Sequence, residues 1–524
     1  MSSQFIRDIR ARPAATVALF RNLLLGTASG GGTYTALELA VQFRDLVRAN
    51  QVPVEDLLGR QTWASVLSSG LLDIYADAVS SPNFFSRPLD LISAVLLAFA
   101  AYCEEVEDSP RVANPLLART NTLWISVWNR QDELKRLTSP AYKAKLIIPL
   151  IELHYRFSVC YLTVKRIEPP ILGSYMHYTG LLLYTLSDQD DSPATVMFSL
   201  RCFSMPVMVS RMFKKYEDAV AEGDELAHQH ILSHVGIEKL ILRFKKTFNQ
   251  PQPLHIDALH VCLLVLWGLA CSPSIQLLIL KHHLFEGVCR AVSLHDKIHP
   301  DAEARLRNWA IALDILGLLS KGRLTPGTKE CSDYTEGVRG QDVTDHLARG
   351  VRLAAEMNGD MVYHQSEDPS QRLWQCIRDH NDLIFNLPRV PRAERTNQAY
   401  ASPIQLVQSM ISWASEVWHP SLSALRAVEN RRAGVPAVSD YGSIIDIWTE
   451  HGTLLGLQGS TEKKGQDTGV RQHCSWDGCV FSFQLASEPL RACTGCGKVS
   501  YCSEKCQKGD WKRHKKECKR TKAA

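Results

Sequence analysis

The sequence predicts a mainly α protein, a large helical body followed by a small C-terminal unit crowded with cysteine. Three observations carry that expectation. Apolar residues recur at helical spacing from about residue 34 to residue 456, strict two-residue alternation is almost absent, and 7 of the 15 cysteines fall in the last 51 residues. A period near 3.6 lines apolar side chains along one helix face, so successive stripes separated by short breakers describe helices packed on helices. With 524 residues, 45% of them apolar and 22% charged, core size is no constraint, and neither wholesale disorder nor a disulfide-framed miniprotein fits.

The elements follow in chain order. Trp63, Val66, Leu67, Leu71, Ile74 and Tyr75 form one stripe, and the Pro88–Glu105 and Lys143–Val164 segments are apolar enough to be buried on more than one side. Ile237, Leu240, Ile241 and Phe244 repeat the pattern, as do Leu306, Trp309, Leu313 and Leu316. Ala258–Leu280 carries no charge and has the length of a membrane span, but Cys271-Ser272-Pro273-Ser274 is a turn signal near its middle. It reads as two buried helices, one ending near Ala270 and the other starting after Pro273, so no membrane partner is expected. Lys321–Thr344, rich in Gly, Thr, Ser and charge, reads as a long surface loop. Gly459–Gly469 contains no apolar residue and reads as a flexible linker. The divisions are therefore a body over 1–456, a linker over 457–472, a finger over 473–518 and a basic tail over 519–524.

Within the body, Leu263–Ala270, the breaker Ser272-Pro273-Ser274, Ile275–Ile279 and Phe285–Cys289 make a helix, tight turn, helix pattern that resembles an armadillo-type repeat. His234–Ile241 can be laid on Leu284–Cys289 with Glu238 against Glu286, and Ser68–Asp73 looks like a third copy. The step of 48 lies near the ~40 to 47 residues of armadillo and HEAT units, which favours an armadillo-like array, with an irregular helical bundle as the alternative.

Charge and cysteine divide at the same place. From Arg471 to Ala524 there are 12 Lys and Arg against 5 Asp and Glu, while the preceding residues carry 47 against 50. A net charge of +4 overall is too small for a dedicated nucleic-acid binder. Cys103, Cys160, Cys202, Cys262, Cys271, Cys289, Cys331 and Cys376 sit singly among apolar residues and read as small buried hydrophobes. The N-terminal stretch has no clean secretory pattern, and Asp8 among Arg7, Arg10 and Arg12 argues against a mitochondrial transit peptide. The expectation is a soluble intracellular protein, cytoplasmic or nuclear.

The remaining thiols make a ligand set: Cys474-x4-Cys479-x13-Cys493-x2-Cys496-x5-Cys502-x3-Cys506-x7-His514-x3-Cys518. Seven thiols and one imidazole close two tetrahedral zinc sites with nothing left over, and a closed set is structural rather than catalytic. Pairs two to four residues apart aim both side chains at one ion, and His514 and Cys518, four apart, share a helix face. So short a segment with so few large apolar residues needs its metal in order to fold.

At Cys493-Thr-Gly-Cys496, Tyr501-Cys502-Ser-Glu-Lys-Cys506-Gln507, Asp510-Trp511 and His514-Lys-Lys-Glu-Cys518 the sequence resembles the MYND-type zinc finger. The resemblance implies interleaved pairs, with Cys474, Cys479, Cys502 and Cys506 on one zinc and Cys493, Cys496, His514 and Cys518 on the other. It departs from the family in the first pair, where four residues intervene instead of two. Cys474 is accordingly the least secure ligand, with His473 a conceivable substitute. The resemblance also implies a shallow groove for proline-containing peptides lined by Thr494, Gln507 and Trp511, against the alternative that Trp511 only packs helices together. The run Lys512-Arg513-His514-Lys515-Lys516 reads as a solvated helix face that offsets thiolate charge, with nucleic-acid binding the competing reading.

The body offers no Walker loop, nucleophile elbow, His-Glu-x-x-His or kinase signature, and no SET-type methyltransferase motif. His255, His260, His282 and His283 read as polar positions satisfied locally. The expected function is a zinc-binding protein-interaction adaptor on a helical scaffold rather than an enzyme. The alternatives are an enzyme of unrecognised type in the body, with the finger as a docking module, or nucleic-acid binding through the basic finger.

Overall fold

The computed structural model describes residues 2–26, 34–48, 54–106, 109–136, 139–165, 175–187, 200, 236–357, 369–387, 398–431, 441–457, 474–476, 479, 490–496, 499–516 and 518. The linker Gly459–Gly469, His473, Cys202 and the tail 519–524 lie outside them. The protein is mainly helical, as the periodicity predicts, and its β structure among the described residues is one two-stranded hairpin near the C-terminus. The chain divides into two compact units, one built mostly from residues 1–210 and the other mostly from 241–524.

In the first unit Leu89–Glu105 is the central helix, packed between Ala36–Arg48 and Ile148–Lys165. Its buried Phe99 and Tyr102 join a run of aromatic rings that includes Phe5, Phe20, Phe43, Trp63 and Tyr75. The stripe from Trp63 to Tyr75 is not one helix. Gly70 adopts φ 80° and ψ 31°, a left-handed conformation that ends Arg60–Ser68 and starts Leu71–Ser80 in a new direction. Gly236 and His283 likewise have positive φ immediately before the helices Ile237–Phe248 and Leu284–Ile298. These are the three places that the sequence comparison aligned, with the turn residues 47 rather than 48 apart because His283, not Leu284, takes the glycine's place.

In the second unit the helices form three rows. Ile256–Ala270, Ala302–Ser320, Pro369–Asn386 and Tyr441–Leu454 each pack on the next. Leu284–Ile298 and Gly340–Glu356 lie in a second row, and Pro273–Lys281 and Lys329–Gly337 in a third. Gln398–Arg431 packs against both Lys329–Gly337 and Gly340–Glu356, so one long helix closes two rows. The Ala258–Leu280 stretch breaks where the sequence says it should: Cys271 caps one helix, Pro273 opens the next, and the Gln276 amide donates to the Ala270 carbonyl at 2.8 Å. Among the described residues no helix is long and apolar enough to cross a membrane.

Lys321–Thr344 corrects the loop reading. It contains the helix Lys329–Gly337 and the start of Gly340–Glu356. The Thr328 hydroxyl caps the first by accepting from Cys331 N at 3.1 Å, and Tyr334, fully buried, donates to or accepts from His380 at 2.8 Å. Cys331, Tyr334, Val338 and Val343 are the buried apolar side chains of this stretch, too sparse a pattern to stand out among its glycines and charges.

Two tryptophans lock the second unit in the same way. The Trp309 indole N–H donates to the His346 carbonyl at 2.9 Å, and its ring lies over Gly350, where a Cβ would come within 2.1 Å of it. Trp418 donates to the Trp448 carbonyl at 2.8 Å and lies over Gly452 with the same 2.1 Å approach. In each case the glycine stands four residues after the accepting carbonyl, because the ring that reaches the carbonyl crosses the next turn.

Candidate metal centre

The finger is built on the hairpin Arg491–Ala492 and Ser500–Tyr501, paired antiparallel, and the helix Glu504–His514. The Ser503 hydroxyl caps the helix by accepting from Cys506 N at 3.2 Å, which fixes Cys506 in its first turn. The Cys474 segment lies along the second strand: Ser475 N donates to the Ser500 carbonyl at 2.8 Å, and Ser500 N donates to the Ser475 hydroxyl at 3.0 Å. A turn in which Cys479 N donates to the Trp476 carbonyl then returns Cys479 toward Cys474.

These elements gather eight side chains into two groups. Cys474, Cys479, Cys502 and Cys506 form one, and Cys493, Cys496, His514 and Cys518 the other, with all donor atoms of a group within 4.8 Å of one another. The spacings can be set against those of a tetrahedral site. A tetrahedral zinc with Zn–S near 2.3 Å and Zn–N near 2.0 Å sets sulfurs about 3.8 Å apart and sulfur and nitrogen about 3.5 Å apart. Cys479 and Cys506 each lie 3.3 Å from Cys502 between sulfurs, Cys493 and Cys518 are 3.9 Å apart, and His514 Nε2 is 3.4 Å from Cys493 and 3.5 Å from Cys496. The donor sets, one of four thiols and one of three thiols and an imidazole, fit two zinc ions. Cys474, buried to 2% exposure, completes its group despite the longer first spacing.

Among the described residues the sulfurs are also most of the finger's interior. Its core is Cys474, Cys479, Cys493, Cys496, Cys506 and Tyr501, with Trp476, Val499, Cys502 and Cys518 against it. Among the described residues of the finger a single buried aromatic cannot replace an apolar core, so their cohesion comes from the ligand groups. Burial raises the Cys493 thiol, but hydrogen bonds from the backbone N–H groups of Gly495 and Cys496, together with those of the His514 and Cys496 side chains, outweigh it and bring the group down to about 6. Cys518 is pushed up to about 11 by burial and by the neighbouring Cys493 and Cys496.

A polar brace holds the two ligand groups in register. Asp510, 2% exposed, accepts from the Tyr501 hydroxyl at 2.8 Å and from Arg513 Nε and its terminal nitrogen at 2.8 and 3.0 Å. Arg513 also donates to the Ser475 carbonyl at 2.8 Å. Strand, helix and the Cys474 segment thus meet at one carboxylate. Arg513 is consequently a brace and not a free member of the basic face, which is left to Lys512, Lys515 and Lys516, all exposed. Tyr501 and Asp510 belong to the motif, but nothing in its spacing discloses their role, and the role of one further side chain is hidden in the same way. That side chain is Trp476, whose ring lies over Gly509 so closely that a Cβ there would come within 2.7 Å. A glycine in the middle of a helix was the available signal.

Of the groove residues, Thr494 is exposed in the turn between Cys493 and Cys496, Gln507 is half-buried, and Trp511 is 45% exposed with its ring in a T-shaped contact with His514. The tryptophan that packs on the helix is Trp476.

Interleaved ligand groups on a hairpin and one helix define a cross-braced double-zinc finger. Residues 473–518 match the family model described as the MYND finger, and the C-terminal unit is a MYND zinc finger, a protein-interaction domain. SET domain-containing protein 14 of Caenorhabditis elegans is 53% identical over 30 residues, which cover 6% of this chain and 7% of that protein. No solved structure matches the chain.

Proposed function

We propose that this protein is a zinc-dependent interaction adaptor, its finger binding proline-containing peptides and its helical body serving as an armadillo-like scaffold. The observation that carries the reading is the exposed Trp511. It stands one turn after Gln507 on the same face of a helix held by Cys506 in its first turn and by His514 in its last. Each of the other ten tryptophans is buried or half-buried. A rigid indole left facing water is an apolar surface for a proline ring, and the Gln507 amide supplies the bond that an extended backbone needs. The 3.4 Å approach of Cys493 to His514 brings the turn that carries Thr494 to the same end of the helix. The three helix rows of the second unit support the scaffold part, since stacked layers give an extended surface. With no catalytic motif in the sequence, this reading assigns the body no chemistry.

Trp511→Ala in the full chain tests it. Loss of a central aromatic anchor lowers affinity for a proline-containing peptide by about 2 kcal/mol or more, while zinc stays at two per chain. Unchanged affinity, or zinc loss in this variant with Gln507→Ala silent, would make Trp511 a structural residue.

A further inference from the structure

On the helix Glu504–His514 the row formed by Gln507 and Trp511 has a second row beside it. Lys508 and Lys515 stand three before and four after Trp511, and Lys512 lies between them, so three ammonium groups border the exposed indole along its length. Among the described residues the acidic side chains do not balance them. Asp510 is buried and satisfied by Tyr501 and Arg513, and Glu504 pairs at 2.7 Å with Lys508 at the start of the row. Lys512 and Lys515 therefore face solvent beside Trp511, while Glu504, the carboxylate of the described helix on that side, is taken up by Lys508 at the far end of the row. Resting on the groove reading above, we infer that the preferred partner is an acidic peptide: a proline-containing segment whose flank, running past the C-terminal half of the helix, carries Asp or Glu side chains.

The charges sit at the rim of the contact and not under it. Rim charges act through screened attraction and tune selection and on-rate more than they anchor. The preference is accordingly modest and disappears with salt. Nucleic acid is the rival ligand for the same lysines, but a duplex presents a uniform line of phosphates and needs no indole between them.

The test uses the zinc-loaded full chain and two labelled peptides with the same proline core, one flanked by Asp and Glu, the other by Asn and Gln. By fluorescence anisotropy at low ionic strength the acidic peptide binds about five- to tenfold tighter, and the two converge within twofold near 1 M salt, where the screening length is about 3 Å. The double variant K512Q/K515Q lowers the acidic peptide's affinity to that of the neutral one, with zinc content still two. Equal affinities in the unmodified chain, or a preference that survives K512Q/K515Q, overturn this inference and leave the groove reading standing. Binding of neither peptide overturns both. A third arm with duplex DNA separates the rival: tight, salt-sensitive duplex binding that Trp511→Ala does not change, together with equal peptide affinities, assigns the lysine row to nucleic acid.

Discussion

Asp510→Ala removes the carboxylate on which strand, helix and the Cys474 segment converge, and the structure sets the size of the effect. Tyr501 is 1% exposed, and its hydroxyl loses its acceptor in a place that water does not reach. A stranded buried hydroxyl costs about 1 to 3 kcal/mol. Arg513 loses two bonds but is half-exposed, so solvent recovers most of that energy and the added cost is at most about 1 kcal/mol. A total near 2 to 3 kcal/mol follows. Because folding and metal binding are one event in so small a unit, the cost appears as zinc affinity lower by about 30- to 150-fold. The assay is competition for zinc against a chromophoric chelator, using the full chain. Tyr501→Phe is the graded control: it removes one hydroxyl, for about 1 kcal/mol and a fivefold change. If Asp510→Ala stays within threefold of the unmodified chain, or is no worse than Tyr501→Phe, the brace does not hold the ligand groups in register and the reasoning fails.

Elemental analysis of the purified chain will give two zinc per molecule, and chelation will erase the amide protection of the finger while the far-UV helical signal persists; a global loss of helix on chelation would contradict this. Gly350→Ala places a methyl group within 2.1 Å of the Trp309 ring, and the overpacking, about 1 to 3 kcal/mol, together with a strained indole bond exceeds the roughly 1 kcal/mol gained in helix propensity. Urea unfolding of the second unit will shift to lower denaturant, with zinc content unchanged. Burial holds His346 and His451 down to about 3, and His154 down to about 4, against an ordinary 6.5. Between those values the unfolded chain takes up protons that the folded chain does not, so the stability present above about pH 6.5 falls as pH drops toward 4, by roughly 2 kcal/mol per histidine at pH 5. Denaturant midpoints followed by the helical signal that are equal at pH 7.5 and 5 would contradict the buried neutral state.

The parts of this molecule that could be read from the chain are those in which a local pattern is itself the cause. Ligand spacing is one, because chain connectivity limits which thiols can share an ion. The break at Cys271–Pro273 is another, because proline removes a donor and sets the backbone whatever surrounds it. Stripes such as Ile237 to Phe244 and Leu306 to Leu316 were legible for the same reason, and all eight of their named residues are buried. Features that depend on two distant segments were not. Nothing near Gly350 announces Trp309, nothing near Gly452 announces Trp418, and Arg513 in a basic run gives no hint that it faces a buried carboxylate. Lys329–Gly337 was missed because so short a helix shows too few apolar positions to establish a period. The resemblance supplied the interleaved pairing, and no spacing argument alone would have chosen it over consecutive pairs.

Interleaving makes the finger an all-or-none object. Each ion ties a segment from the first half of the finger to one from the second, so neither half is a sub-domain that survives alone. A chain carrying one ion has lost half of its sulfur core along with the partner site, which leaves the intermediate less favourable than either end state. Loading is then steeper than that of two independent sites, and the folded finger comes into being over a narrow range of free zinc.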